Sequence, residues 1–262
     1  MTLIPERFRR RRARDRDPDS TMTLVEHLEE LRNRLFISLG AIGVAAIGGW
    51  FLYEPVLDLL QEPFCKTIQS LPPANRPASG CRFIFLGAID AVVIKLKVIV
   101  FMGLLIALPI VLYQLWAFIV PGLTKRERRM AVPFVLSSVL LFALGAVLAY
   151  LTLPRGLGFL LGFAGPAFVP QLTGDKFLGF VMLLTLAFGL SFEFPIALIF
   201  LSIAGVVSSQ MMRQWRRRAI LFIAVFAAVI TPSADPYTML ALMIPMVLFY
   251  EAAIIVARLL KR

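Results

Sequence analysis

Charge is scarce in this chain. Only 16% of its 262 residues are charged, where soluble domains average about 25%. Histidine occurs once, at His27, so no histidine pair exists to hold a metal. The two cysteines, Cys65 and Cys81, are too few for a disulfide scaffold and lack zinc-site spacing. No G-x-x-x-x-G-K-[ST] loop is present, which argues against ATP hydrolysis within the chain. Neither a G-x-S-x-G elbow nor an H-E-x-x-H pair occurs, and His27-Leu28-Glu29 has no nucleophile at useful spacing. Internal repeats and symmetry between the halves, the mark of many carriers, are missing too. These absences predict a non-enzyme with no cofactor and no metal.

What is abundant is apolar: 59% of the residues are hydrophobic. Long uncharged runs of such composition predict an all-α integral membrane protein. The net charge of +11 would favour nucleic acid in a soluble chain. Here it is gathered in short clusters beside apolar runs, so membrane topology and anionic lipid account for it, and no nucleic-acid partner is expected.

Residues 1–22 form a polar tail carrying Arg7, Arg9 to Arg12, Arg14 and Arg16, and residues 23–262 read as one membrane domain. Residues 23–34, TLVEHLEELRNR, open with a capping box, Thr23 to Glu26. Leu24, Leu28, Leu31 and Leu35 then make one helical stripe, which predicts a short amphipathic helix on the membrane. Six spans follow: Leu35 to Tyr53, Val98 to Ile119, Val132 to Leu153, Phe177 to Ala204, Ala219 to Ile230 and Tyr237 to Ala257. The fifth has only about twelve residues, about 18 Å of helix against a hydrocarbon core of about 30 Å, and Pro245 interrupts the sixth. Residues 54–91, with Pro55, Pro63, Pro72, Pro73 and Pro77, and residues 155–176 read as loops. Inside the fourth span lies Glu193, two residues before Pro195. A carboxyl at that depth costs at least about 2.5 kcal/mol, so a functional or a structural hydrogen-bonding role is expected of it.

Basic residues set the orientation. The tail and first helix, the loop at Lys125 to Arg129, the stretch Arg213 to Arg218 and the C-terminus hold most of them. The positive-inside rule therefore predicts both termini in the cytoplasm. It also puts Cys65 and Cys81 outside, where a disulfide worth about 3 kcal/mol is one reading and two free thiols the other.

The stretch Tyr113 to Arg129, YQLWAFIVPGLTKRERR, joins an aromatic membrane boundary to a turn at Pro121-Gly122 and four cations around Glu127. Glu127 is either an internal salt-bridge partner or an acid presented to a cationic ligand. This stretch resembles the first cytoplasmic loop of TatC, the receptor subunit of the twin-arginine protein translocase. His27-Leu28-x-Glu30-Leu31-Arg32, Glu62-Pro63-Phe64 and Phe192-Glu193-Phe194-Pro195 resemble further motifs of that family, in the same order along six spans. The resemblance implies a prokaryotic cell-membrane receptor that binds twin-arginine signal peptides and helps export folded proteins on the proton-motive force. It implies TatA and TatB as partners and self-association in a receptor complex. Carried over by motif, Glu30 and Glu127, with Arg32, Phe118, Pro121 and Lys125, form the signal-peptide site. Glu193 lines an intramembrane cavity, Pro63 and Asp235 lie in outer loops, and Thr231 and Thr238 contact partner helices. Two rivals remain: a proton-coupled solute transporter using Glu193 and Glu251, and a purely structural membrane scaffold.

Overall fold

Hydrocarbon offers no hydrogen bonds to a backbone, so each apolar run must satisfy its own N–H and C=O groups as helix. The computed structural model describes residues 24–73, 76–77, 80–119, 131–163, 173–232 and 235–259. Among these, the helices are α1 (Leu24–Phe51), α2 (Tyr53–Ser70), α3 (Asp90–Ile119), α4 (Ala131–Phe163), α5 (Gly174–Ser191), α6 (Phe194–Ile203), α7 (Ser209–Ile230) and α8 (Pro236–Leu259).

Side-chain contacts fix the direction of each crossing. At one end, Arg34 early in α1 reaches Gln114 late in α3. Trp116 meets there the tilted rings of Phe134 at the start of α4 and Phe200 near the end of α6, and Arg216 of α7 binds Glu251 of α8. At the opposite end, Lys95 of α3 sits over the rings of Trp50 and Tyr53, and Lys97 meets Asp175 of α5 at 2.6 Å. Successive crossings therefore alternate, through α1, α3, α4, α5 with α6, α7 and α8, and the first and last described residues share the basic end. Five crossings are long and apolar enough to span a membrane. In the other, α7, the apolar part begins only after Arg216, Arg217 and Arg218. The fifth and sixth crossings, at 22 and 24 residues, are shorter than α3 and α4, at 30 and 33.

Four features refine the sequence reading. The amphipathic stretch is not a separate helix: no proline or glycine occurs from Leu24 to Leu39, and α1 runs through it into the first span. Residues 54–91 are not all loop, because α2 occupies the first part and buries Leu60, Pro63, Phe64, Thr67 and Ile68. Pro55 falls in its first turn, where no intrahelical N–H is needed. Pro63 leaves the Leu59 carbonyl without a helical donor, and the Tyr150 hydroxyl of α4 fills that place at 3.0 Å. The third crossing continues past Pro154, held on either side by the buried Leu153 and Leu157. The fourth divides at Phe192 and Glu193, just before Pro195.

The core runs the length of the bundle, from Leu60, Phe64 and Ile68 of α2 to Met212, Tyr250 and Ala257 at the basic end. Rings of Phe64, Phe83 and Phe177 sit 5.2–5.4 Å apart, beside fully buried Val98, Leu184, Phe188 and Leu242. Gly103 lets α1 lie against α3. A Cβ there would come within 2.8 Å of the Ile42 carbonyl oxygen and 2.9 Å of the Ala46 Cβ.

Candidate functional site

Glu30 lies on the second turn of α1, half-buried at the basic end. Its Oε1 accepts two bonds from the guanidinium of Arg34, through Nε at 2.9 Å and Nη2 at 2.5 Å. The third edge of that guanidinium, Nη1, donates to Gln114 Oε1 of α3 at 3.0 Å. The other oxygen of Glu30, Oε2, is buried and has no partner among the described residues. Around this carboxylate opens a cavity of about 480 Å³ lined by Glu26, Glu29, Glu30, Asn33, Arg34, Ile37 and Gln114. On the same helix as Glu30, the His27 ring stacks on Phe118 of α3 at 4.4 Å. The helix period explains the grouping: positions 26, 30, 33, 34 and 37 share the face of α1 that turns to α3. Arg32 points elsewhere, exposed, 3.5 Å from Glu29. Of the six residues expected at this site, Glu30 and Phe118 thus stand at one end of the α1–α3 pair, and Arg32 faces solvent beside them. Glu127, Pro121 and Lys125 lie outside the described residues.

Glu193 occupies the break between α5 and α6, at the N-cap position of α6. The Ser138 hydroxyl hydrogen-bonds its carboxyl, and Ser138 in turn accepts the Trp116 indole N–H at 2.8 Å. Glu193 Oε1 is buried without a partner among the described residues. A polar chain thus runs from the aromatic end of α3 to an acid within the membrane span.

The remaining expected residues lie at the opposite end or turn inward. Pro63 is inside α2 and not in a loop. Asp235 is buried and caps α8, its Oδ1 accepting the Thr238 N–H at 2.8 Å and its Oδ2 the Thr238 hydroxyl. Gly156 of α4 makes room for that cap, since a Cβ there would lie 2.8 Å from Thr238 Cγ2. Thr231 donates to its own helix at Ala227 O, 2.8 Å away. Thr231 and Thr238 are 3% and 1% exposed, so neither faces outward as a contact with a partner helix requires. Exposed large apolar residues of these helices include Leu221, Phe222, Val225 and Val229 on α7 and Leu240, Ile244 and Leu248 on α8. Cys65 and Cys81 are free thiols in this structure, in hydrogen-bonding contact with one another.

The family profile described as Sec-independent protein translocase protein (TatC) matches residues 26–245. The chain belongs to the TatC family. The TatC of Frankia casuarinae is 48% identical over 241 residues, 91% of this chain and 66% of that relative. The TatC of Aquifex aeolicus is 36% identical over 244 residues, 92% of this chain and 97% of that relative. A crystal structure of a twin-arginine translocase receptor, TatC, is similar with a TM-score of 0.71 at 36% identity, covering 90% of this chain and all of that one. The chain spans just under two thirds of the length of the Frankia relative.

Within this TatC-family fold, sequence reasoning missed Arg34, Gln114, Ser138 and Tyr150. Arg34 was legible, being four residues from Glu30 on one helix. Gln114 and Ser138 carry no local signal, because each acquires its role from a helix distant in sequence. Tyr150 answers a proline in another helix, which no periodicity encodes.

Proposed function

We propose that this chain is the signal-peptide receptor subunit of a twin-arginine protein translocase, in the cytoplasmic membrane of a prokaryote with both termini inside. The observation that carries the reading is the Glu30 carboxylate. It sits in an open cavity at the basic end and keeps one buried oxygen without a partner among the described residues. Guanidinium groups bind carboxylates as a fork, which an ammonium cannot do. The two arginines of the signal peptide bind Glu30 and Glu127, with Phe118, Pro121, Lys125 and Arg32 around them. The cations of the loop at residues 125–129 repel a peptide that presents its positive charge out of register. The apolar part of the peptide follows into the membrane toward Glu193. TatA and TatB pack against the outward apolar faces of α7 and α8, and export of folded cargo draws on the proton-motive force. Supporting the reading are membership of the TatC family and the likeness to a solved twin-arginine translocase receptor.

The test is binding of a fluorescent twin-arginine signal peptide to the full chain in lipid nanodiscs. A twin-lysine peptide, Glu30→Ala and Glu127→Ala are each expected to weaken binding about tenfold or more. Equal binding of both peptides, indifferent to both substitutions, overturns the reading and favours a solute transporter built on Glu193.

A further inference from the structure

Arg34 makes an uneven bond. A guanidinium opposite a carboxylate usually gives one N–H to each oxygen. Here both Nε and Nη2 go to Oε1 of Glu30, while Oε2 stays buried and unpartnered among the described residues. The third edge of the guanidinium is tied to Gln114. The two side chains are 24% and 22% exposed, so the pair is shielded enough to matter and open enough to exchange.

We propose that Arg34 is an internal stand-in for a signal-peptide arginine, holding the Glu30 carboxylate until a ligand guanidinium displaces it. This rests on Glu30 being the receptor carboxylate. An incoming arginine offers the parallel fork that Arg34 does not make, and engages Oε2 as well as Oε1. Arg34 is not left stranded on release, because Gln114 Oε1 still accepts from it. An incoming lysine offers a compact point charge and no fork, so it does not dislodge Arg34. Competition from within the chain then sharpens the preference for arginine over lysine and keeps Glu30 from binding other cations. Arg34 is a specificity-determining residue in this scheme, and it sets affinity by occupying the site.

The experiment titrates labelled twin-arginine and twin-lysine peptides against the full chain in nanodiscs, for wild type, Arg34→Gln, Arg34→Lys, Glu30→Gln and the double variant Glu30→Gln/Arg34→Gln. Arg34→Gln is expected to tighten twin-arginine binding about fivefold. It should tighten twin-lysine binding by more, so the ratio between the peptides narrows. Arg34→Lys, which keeps the charge and loses the fork, should fall between it and wild type, and it carries the test if Arg34→Gln does not fold. In the Glu30→Gln background, Arg34→Gln should change nothing. Arg34 variants that bind no tighter than wild type, while Glu30→Gln still weakens binding, overturn the stand-in and leave the receptor site in place. Binding indifferent to Glu30→Gln overturns both.

Discussion

Asp235 shows how a carboxylate near the membrane can be satisfied by structure alone. One oxygen takes the Thr238 backbone N–H and the other the Thr238 hydroxyl, so a helix N-terminus and its first side chain absorb the charge. Asp235→Ala removes both acceptors from a buried position. A loss of about 2 kcal/mol is expected, read as a lower melting temperature of the purified protein in nanodiscs. Asp235→Asn keeps one carbonyl acceptor and should cost less than the alanine variant. Glu193 differs, because Ser138 answers one side of its carboxyl and Oε1 remains without a partner among the described residues. The acid with both oxygens taken and the acid with one oxygen unpartnered among the described residues look alike in the sequence. Only their neighbours separate them.

Among elements, α2 depends most on a distant partner. Pro63 costs it one backbone bond, and Tyr150 supplies the replacement to the Leu59 carbonyl while also meeting Glu62 at 2.9 Å. Tyr150→Phe is expected to destabilise by about 1 kcal/mol. Pro63→Ala restores an N–H to Leu59, so in that background the loss should shrink, and a double-mutant cycle of melting temperatures checks the coupling. Bonds from Lys66 and then Tyr150 hold the Glu62 carboxyl below its ordinary value. Its contribution is present above the ordinary carboxyl range and is lost as pH falls through the lowered value, because protonation removes the acceptor. Cys65 on α2 faces Cys81, and burial, reinforced by that neighbour, pushes its thiol up to about 12. In reduced protein at neutral pH, maleimide should therefore modify Cys65 slowly, faster as pH rises. On an oxidising face, the pair should pass two protons and two electrons to a disulfide-bearing thiol oxidase. Intact mass would then be lower by two hydrogens, and recovery of both thiols would need a reductant. Two free thiols in protein taken from that face would overturn the pairing.

At the scale of the molecule, alternating crossings bring the N-terminal part of α1 and the C-terminal part of α8 to one end, together with Arg213, Arg216, Arg217 and Arg218. In intact cells, an impermeant maleimide should reach Cys65 and Cys81 after reduction. It should reach a cysteine placed by Arg213→Cys only once the membrane is permeabilised. The reverse pattern would invert the topology. The twelve or so apolar residues of α7 leave the bilayer thin beside it or the helix drawn inward. Either outcome concentrates deformation at the face formed by α7 and α8.

Composition and run length by themselves determined an all-helical membrane chain of six crossings, because hydrocarbon admits only helices and closed β-barrels, and long continuously apolar runs suit the helix rather than a short alternating strand. The helix period likewise made Glu30 legible on a polar face, and the motifs carried the family. Tertiary structure alone decided the rest. It decided that α2 survives two prolines, that α4 continues through Pro154, that Thr231 and Thr238 turn inward, and that Glu30 already holds an arginine of its own chain. Each of these depends on a group supplied by another helix or on core packing: a hydroxyl for an orphaned carbonyl, buried leucines on either side of a proline, an amide oxygen for a guanidinium edge. Such groups lie far apart in the chain and meet only when the helices pack.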